Sequence, residues 1–159
     1  MREKDYDRRS AVAYARRWAL SRNPAYYDFE KIGGDCTNFA SQCIYAGSGV
    51  MNGTPTMGWY YRSVNDRTPS WSGVAYLYNF LVNNRSVGPY ARLVLRDEAQ
   101  PGDIAQLGHN GDYYHSPVIT AVSPRILVAA HTFDALDRPL DSYAYETVRF
   151  LHIEGVRMW

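Results

Sequence analysis

Residues 33 to 43 read GGDCTNFASQC, with two glycines and an aspartate directly before a cysteine and a second cysteine seven positions on. A thiol in the first turn of a helix faces unpaired backbone N–H groups and the positive end of the helix dipole, and both favour thiolate over thiol. The same N–H groups can hold the oxyanion that forms when a nucleophile attacks a carbonyl. Asp35 stands at the N-cap position, Thr37 adjoins the thiol where that oxyanion would form, and Gly33 and Gly34 let the backbone approach closely. The chemistry this equips is attack by Cys36 on a carbonyl. The simpler alternative is that Cys36 is a small apolar filler.

A cysteine nucleophile needs a base within hydrogen-bond reach and a third group that orients the base. The chain offers His109, His115, His131 and His152. His115 opens the apolar run HSPVITAV and His131 closes RILVAAH, so a hairpin through SPR brings both to one sheet edge. That geometry implies His115 as base and His131 as orienter; Asp134 and Asp137, in HTFDALDRP, read as turn formers or as the other candidates for the third group. His109, in GHNGD, reads as a solvated turn residue and His152, in RFLHIEG, as a strand side chain.

Cys43 lies two turns into the helix on its apolar stripe, where the dipole has faded, and reads as packing. Two cysteines seven apart on one helix have Cα atoms roughly 10 Å apart, beyond the ~7 Å limit for a bridge. No CxxC, HExxH or similar ligand pair occurs, so no metal site and no cofactor is expected.

These residues must be positioned by a helical half, about 1–85, and a sheet half, about 90–159, of one domain spanning 1–159. Ala11, Tyr14, Ala15, Trp18 and Ala19 form one stripe of a helix of about four turns, capped by Asp7 and followed by Pro24. Cys36, Phe39, Ala40, Cys43 and Ile44 mark a second helix that stops at Gly47. A third helix, capped by Ser70 or Ser72, carries Val74, Leu77, Tyr78 and Leu81. WYYRSV is a short strand among loops. From residue 90 onward ARLVL, DIAQL, HSPVITAV, RILVAAH and ETVRFLHI supply four or five strands. Helices first and strands second, without βαβ alternation, predicts an α+β fold with helices on one face of an antiparallel sheet.

The chain has 17 Lys and Arg against 16 Asp and Glu, which excludes the broad positive field that nucleic acid requires. The N-terminal arginines, interleaved with apolar residues at helical spacing, form a solvated helix face. No apolar run is long enough to span a membrane, and MREKDYDRR lacks the apolar core of a secretory signal. A cell-envelope or extracellular location follows only if a leader was removed from a longer precursor. With 14 Tyr, 4 Trp and 5 Phe the chain is rich in aromatic residues, which fill cores and also line sites that stack sugars or peptides.

The ordered set GDCTNFASQC, PGDIAQL, HSPVITAV and LVAAHT resembles the papain-like cysteine hydrolases of the NlpC/P60 superfamily. It is most similar to the related amidase domains, in which an N-terminal helix also precedes a GDCTNF(A/V)SQ segment. The resemblance runs from Tyr14 to about Asp134. It implies a papain-like fold with Cys36 as nucleophile, His115 as general base and His131 as the polar third residue. The implied reaction is amide hydrolysis through an acyl-enzyme, and many relatives cleave peptide bonds in bacterial cell walls. NlpC/P60 relatives usually carry Ser-Gly after the cysteine, where this chain has Thr37 and Asn38, and Trp59 to Tyr78 has no counterpart there, which marks it for substrate contact. Two other readings use the same residues: a non-catalytic wall- or protein-binding module, and an acyl or transpeptidase transfer enzyme.

Overall fold

The computed structural model describes residues 1–159. In chain order the elements are β1 (Arg2–Lys4), α1 (Arg8–Trp18), α2 (Cys36–Ser48), β2 (Tyr61–Ser63), β3 (Asp66–Arg67), α3 (Pro69–Ser72) and α4 (Val74–Asn83). There follow β4 (Gly88–Val94), β5 (Ile104–His109), β6 (Asp112–His115), β7 (Val118–Ala121), β8 (Leu127–Ala130), β9 (Ala135–Pro139) and β10 (Thr147–Met158). Every strand pairing is antiparallel. The fold is thus mixed α and β, with the helices gathered in the first half.

The main sheet has eight strands in the order β1-β10-β5-β7-β8-β9, with β4 also on β10 and β6 also on β5. The long β10 is its spine. Val118 faces Ala129 across the β7–β8 hairpin, so the turn through Ser123 and Pro124 pairs these strands as their sequence predicts.

Neighbouring strand residues divide between two cores. Ile104, Val118, Ala129 and Leu151 face the helices, whereas Ala105, Leu107, Ile119, Val128 and Phe150 face the other way against Leu140 and Tyr143. Side chains alternate across a strand, so a sheet covered on both faces needs apolar residues at consecutive positions. That explains runs such as DIAQL and RILVAAH. The second cover includes the chain's own short 3₁₀ segment, Leu140–Ser142, rather than an α-helix.

The helices depart from the sequence expectation in instructive ways. Asp7 caps α1, accepting from the Ser10 amide at 3.1 Å, but the helix closes after three turns rather than four. Helix α2 runs past Gly47 to Gly49, whose φ of +64° makes the left-handed cap. Gly47 is small for another reason: a Cβ there would lie 2.5 Å from the Tyr6 ring. The expected third helix is two, because the backbone is extended at Gly73 between α3 and α4. Ser70 is no cap; its hydroxyl donates to the Gly58 carbonyl at 2.6 Å.

Helix α2 is the centre of the molecule. Its residues are buried on every side except at Tyr45 and Ala46. Its polar side chains are satisfied inside: Gln42 accepts from Tyr14 at 2.5 Å, Ser41 from the Trp59 indole at 3.0 Å and Asn38 from the Trp71 indole at 2.9 Å. Buried polar groups are tolerated when they are paired in this way.

Candidate active site

Asp35 holds the chain that leads into α2. Its side chain does not cap its own helix. Instead Oδ1 accepts from the Phe29 amide at 2.9 Å and the Asn38 amide group at 2.8 Å, while Oδ2 lies 2.5 Å from His131 Nδ1. His131 Nε2 donates to the Trp18 carbonyl at 2.8 Å, the last residue of α1, since a carbonyl can only accept. The ring also stacks on Phe39 with centroids 4.0 Å apart. Both nitrogens of His131 are therefore engaged away from His115, and no hydrogen bond joins the two histidines. In this structure His131 and Asp35 clamp α1, α2 and the end of β8 together.

Arg22 reinforces the clamp from outside. It pairs with Asp134 at 2.9 Å, Asp28 at 3.2 Å and Glu30 at 3.4 Å, and its Nε is 3.7 Å from Asp35 Oδ2. Asp134 thus meets Arg22, not an imidazole. The Thr132 hydroxyl accepts from the Asp35 amide at 3.0 Å and closes the same knot.

Cys36 sits in the first turn of α2 as its spacing predicts, yet only 8% of it is exposed. Sγ is 3.7 Å from Thr37 Oγ1 and 3.9 Å from the Tyr114 carbonyl. Burial pushes the thiol up, and the Asp35 charge adds to it; hydrogen bonds from the Thr37 hydroxyl and from the Ser116 and Thr37 amides pull the other way. The helix terminus does not acidify this thiol as the sequence reading anticipates, because desolvation of the anion outweighs the donors.

His115 ends β6 rather than opening the next strand, since the chain leaves the sheet at Ser116 and Pro117 before β7. Its Cα partner is Leu107, a member of the second core, and its ring lies 5.6 Å from that of Tyr143. Burial, then the nearby Arg138 charge, lowers it to about 4, so the imidazole is neutral at pH 7. The ring makes no hydrogen bond, and the Tyr143 ring beside it is covered by the Arg138 guanidinium, its carbon 3.7 Å from the centroid. Cys36 therefore meets the main chain just before His115, whose ring makes no hydrogen bond to the thiol and lies 5.6 Å from that of Tyr143.

The remaining candidates are readily placed. Cys43 is fully buried, and both cysteines are free thiols. His109 is exposed and pairs with Glu146 at 3.2 Å. His152 lies on β10, 2.9 Å from Asp103, the buried aspartate of the PGD turn. The aromatic segment marked for substrate is largely core: Trp59, Tyr60, Tyr61 and Trp71 are buried, whereas Tyr76 is exposed. No three His, Cys, Asp or Glu side chains gather as a metal site would require, and no helix is long and apolar enough to cross a membrane.

Sequence reading missed Ser116 and Gln106, which join Thr37 beneath the thiol. Their signal was faint. A lone serine after a histidine and a glutamine inside DIAQL carry no motif, although a polar residue in an apolar strand does ask for a buried partner.

A family model described as "Putative amidase domain" matches residues 5–153. An uncharacterized protein, YhbB of Bacillus subtilis (strain 168), is 34% identical over 160 residues, which is 93% of this chain and 50% of that protein. The chain thus spans about half the length of the curated relative it matches. No solved structure matches it.

Proposed function

This chain belongs to the family described as "Putative amidase domain", and from that premise we propose that it hydrolyses a peptide-like amide through a Cys36 acyl-enzyme. One observation carries the reading: the Cys36 thiol, at the start of a buried helix and beside several hydrogen-bond donors, packs 3.9 Å from the carbonyl that precedes His115. The helix and antiparallel sheet also suit the papain-like arrangement to which the sequence is similar. Bacterial cell-wall peptide is the substrate class that the similarity favours.

In the proposed reaction His115 turns from Tyr143 toward the thiol when substrate enters, since catalytic hydrogen bonds commonly tighten only in the bound complex. It takes the Sγ proton as sulfur bonds to the carbonyl carbon, and the oxyanion faces the N–H groups of the α2 terminus. Collapse breaks the C–N bond. The amine leaves with the proton from His115, and a thioester remains on Cys36. Water, giving its proton to His115, then releases the acid and restores the thiol. His131 and Asp35 position the nucleophile-bearing helix in this scheme.

The test is to incubate the protein and its Cys36→Ala variant with wall peptide fragments and weigh products and protein by mass spectrometry. Cleavage with an acyl adduct on Cys36 is expected only in the wild type. Undiminished cleavage by Cys36→Ala would overturn the cysteine mechanism. Adding an amine acceptor separates hydrolysis from transfer, because a transferase gives the new amide in preference to the acid, whereas a hydrolase gives chiefly the acid.

The buried, raised thiol and the absence of an imidazole on it favour a second reading, a wall- or protein-binding module of the same fold. Binding of fragments without cleavage, equal in wild type and Cys36→Ala, would identify that alternative.

A further inference from the structure

We infer that Arg149, Gln106, Ser116 and Thr37 form a hydrogen-bond relay whose fixed direction delivers a proton donor to Cys36 Sγ and so stabilises its thiolate. The inference rests on Cys36 being the nucleophile, but the relay exists in the resting protein and can be measured without any substrate.

The direction follows from chemistry at each atom. Arg149 can only donate, so Gln106 Oε1, 2.9 Å from Arg149 Nε, must be the acceptor. The Gln106 amide nitrogen consequently points inward, donating to the Val74 carbonyl at 3.0 Å and to Ser116 Oγ at 3.2 Å. A carbonyl on that side requires a donor, which fixes the same amide orientation independently. Ser116 Oγ can accept again, but Thr37 Oγ1 at 3.2 Å is the one partner left for its own hydrogen, and we take it as the donor of that pair. Thr37 Oγ1 has then received a hydrogen and turns its own toward Cys36 Sγ at 3.7 Å.

The setting makes the relay effective. Gln106 and Ser116 are fully buried and Thr37 is 1% exposed, so water does not compete. Arg149 is clamped between the rings of Tyr78 and Tyr113, its guanidinium carbon 3.6 Å and 3.8 Å from their centroids. A guanidinium held by two rings anchors the donor end in one orientation. Thr37, the residue that departs from the Ser-Gly pattern of NlpC/P60 relatives, acquires a reason here: its hydroxyl carries the last step.

Other groups facing the thiol act in known directions. Asp35, tied to His131 and near Arg22, opposes the anion, and Ser116 and Thr37 amides favour it. His115 is neutral above about pH 4 and adds no charge in the range where the thiol titrates. The Thr37 hydroxyl is thus the side-chain donor whose removal leaves those groups in place. Thr37 touches the reacting sulfur, whereas Ser116, Gln106 and Arg149 act through it as positioning residues.

The experiment is the pH dependence of iodoacetamide alkylation of Cys36, followed on its own peptide by mass spectrometry so that Cys43 does not interfere. Thr37→Val keeps the shape and removes the donor; the alkylation midpoint should rise by about one pH unit, a roughly tenfold fall in thiolate, as expected for loss of a hydrogen bond to a charged group. Thr37→Ser should retain the wild-type midpoint. Ser116→Ala, which frees Thr37 from its orienting partner, should shift the midpoint in the same direction by less, and it serves if Thr37→Val does not fold. Equal midpoints in wild type, Thr37→Val and Ser116→Ala overturn the relay, as does an equal shift in Thr37→Val and Thr37→Ser, which would indicate packing alone. Failure to cleave any amide, with the shifts intact, would remove the proposed reaction and leave the relay standing.

Discussion

His115 gives the most direct pH signature. Its side chain titrates near 6.5 in an unfolded chain, whereas burial and then Arg138 lower it to about 4 in the folded protein. Between those values the unfolded state binds the proton and the native state does not. Stability from this group is therefore complete above about pH 6.5 and declines as pH falls toward 4, by about 3 kcal/mol at most. Urea titrations across that window should show the decline in the wild type and a flatter profile in His115→Gln. The same shift sets the acid limb of kcat/KM near pH 4 if His115 is the base, so a limb near 6.5 would reject that role as the ring now stands. A second expectation concerns Asp35→Ala, which strands His131 Nδ1, the Phe29 amide and the Asn38 side chain. It should cost about 3–5 kcal/mol by chemical denaturation, as for other broken buried pairs. The first-turn placement of Cys36 was legible from Asp35 and the apolar spacing. The thiol's contact with Tyr114 and the partners of His131 were not, because they depend on residues 78 to 113 positions away.

Gly34 shows how an element is held. Its φ is +96° and a Cβ would lie 3.1 Å from Thr132 Oγ1, the atom that receives the Asp35 amide. Gly34→Ala should therefore cost about 1–3 kcal/mol and accelerate amide hydrogen exchange from Phe29 to Asp35, the loop that enters α2. Unchanged exchange would show that the conformation of Gly34 does not restrain the loop. At this scale the sequence announced the periodic parts well: α1, α2 and the β7–β8 hairpin follow from spacing and turn residues. What escaped were the places where tertiary contact overrides local signals. Gly47 looks like a stop and is a point of close approach to Tyr6. The run HSPVITAV looks like one strand, yet it breaks at Ser116 and Pro117, which puts His115 in a different hairpin from Val118. Strands β1, β6 and β9 are only three, four and five residues long, so alternation had little to act on.

Across the whole molecule, the two halves are tied by the chain's first residues. Arg8 donates to Asp103 at 2.7 Å and to the Ile153 carbonyl at 2.6 Å, and Tyr6 donates to the Gly102 carbonyl at 2.9 Å. Strand β1 itself is exposed along its length. Removing residues 1–4 should lower the melting temperature by only a few degrees, whereas Arg8→Ala alone should cost about 1.5–3 kcal/mol, because Asp103 is a fully buried carboxylate. Calorimetry of the two variants compares them directly. Helices before strands correctly indicated an antiparallel sheet beneath a helical layer. The second core, behind the sheet, left its trace in the consecutive apolar residues of β5, β7 and β8, which half-covered strands do not require. One feature of the first core reaches beyond packing. The indoles of Trp59 and Trp71 lie 4.7 Å apart at 34° and are both fully buried, and each donates its N–H to α2, to Ser41 and Asn38 respectively. At that separation their transition dipoles couple, so the pair should give an exciton couplet in circular dichroism. The helix that presents Cys36 thus carries its own optical reporter, and its seating could be followed in solution without a label.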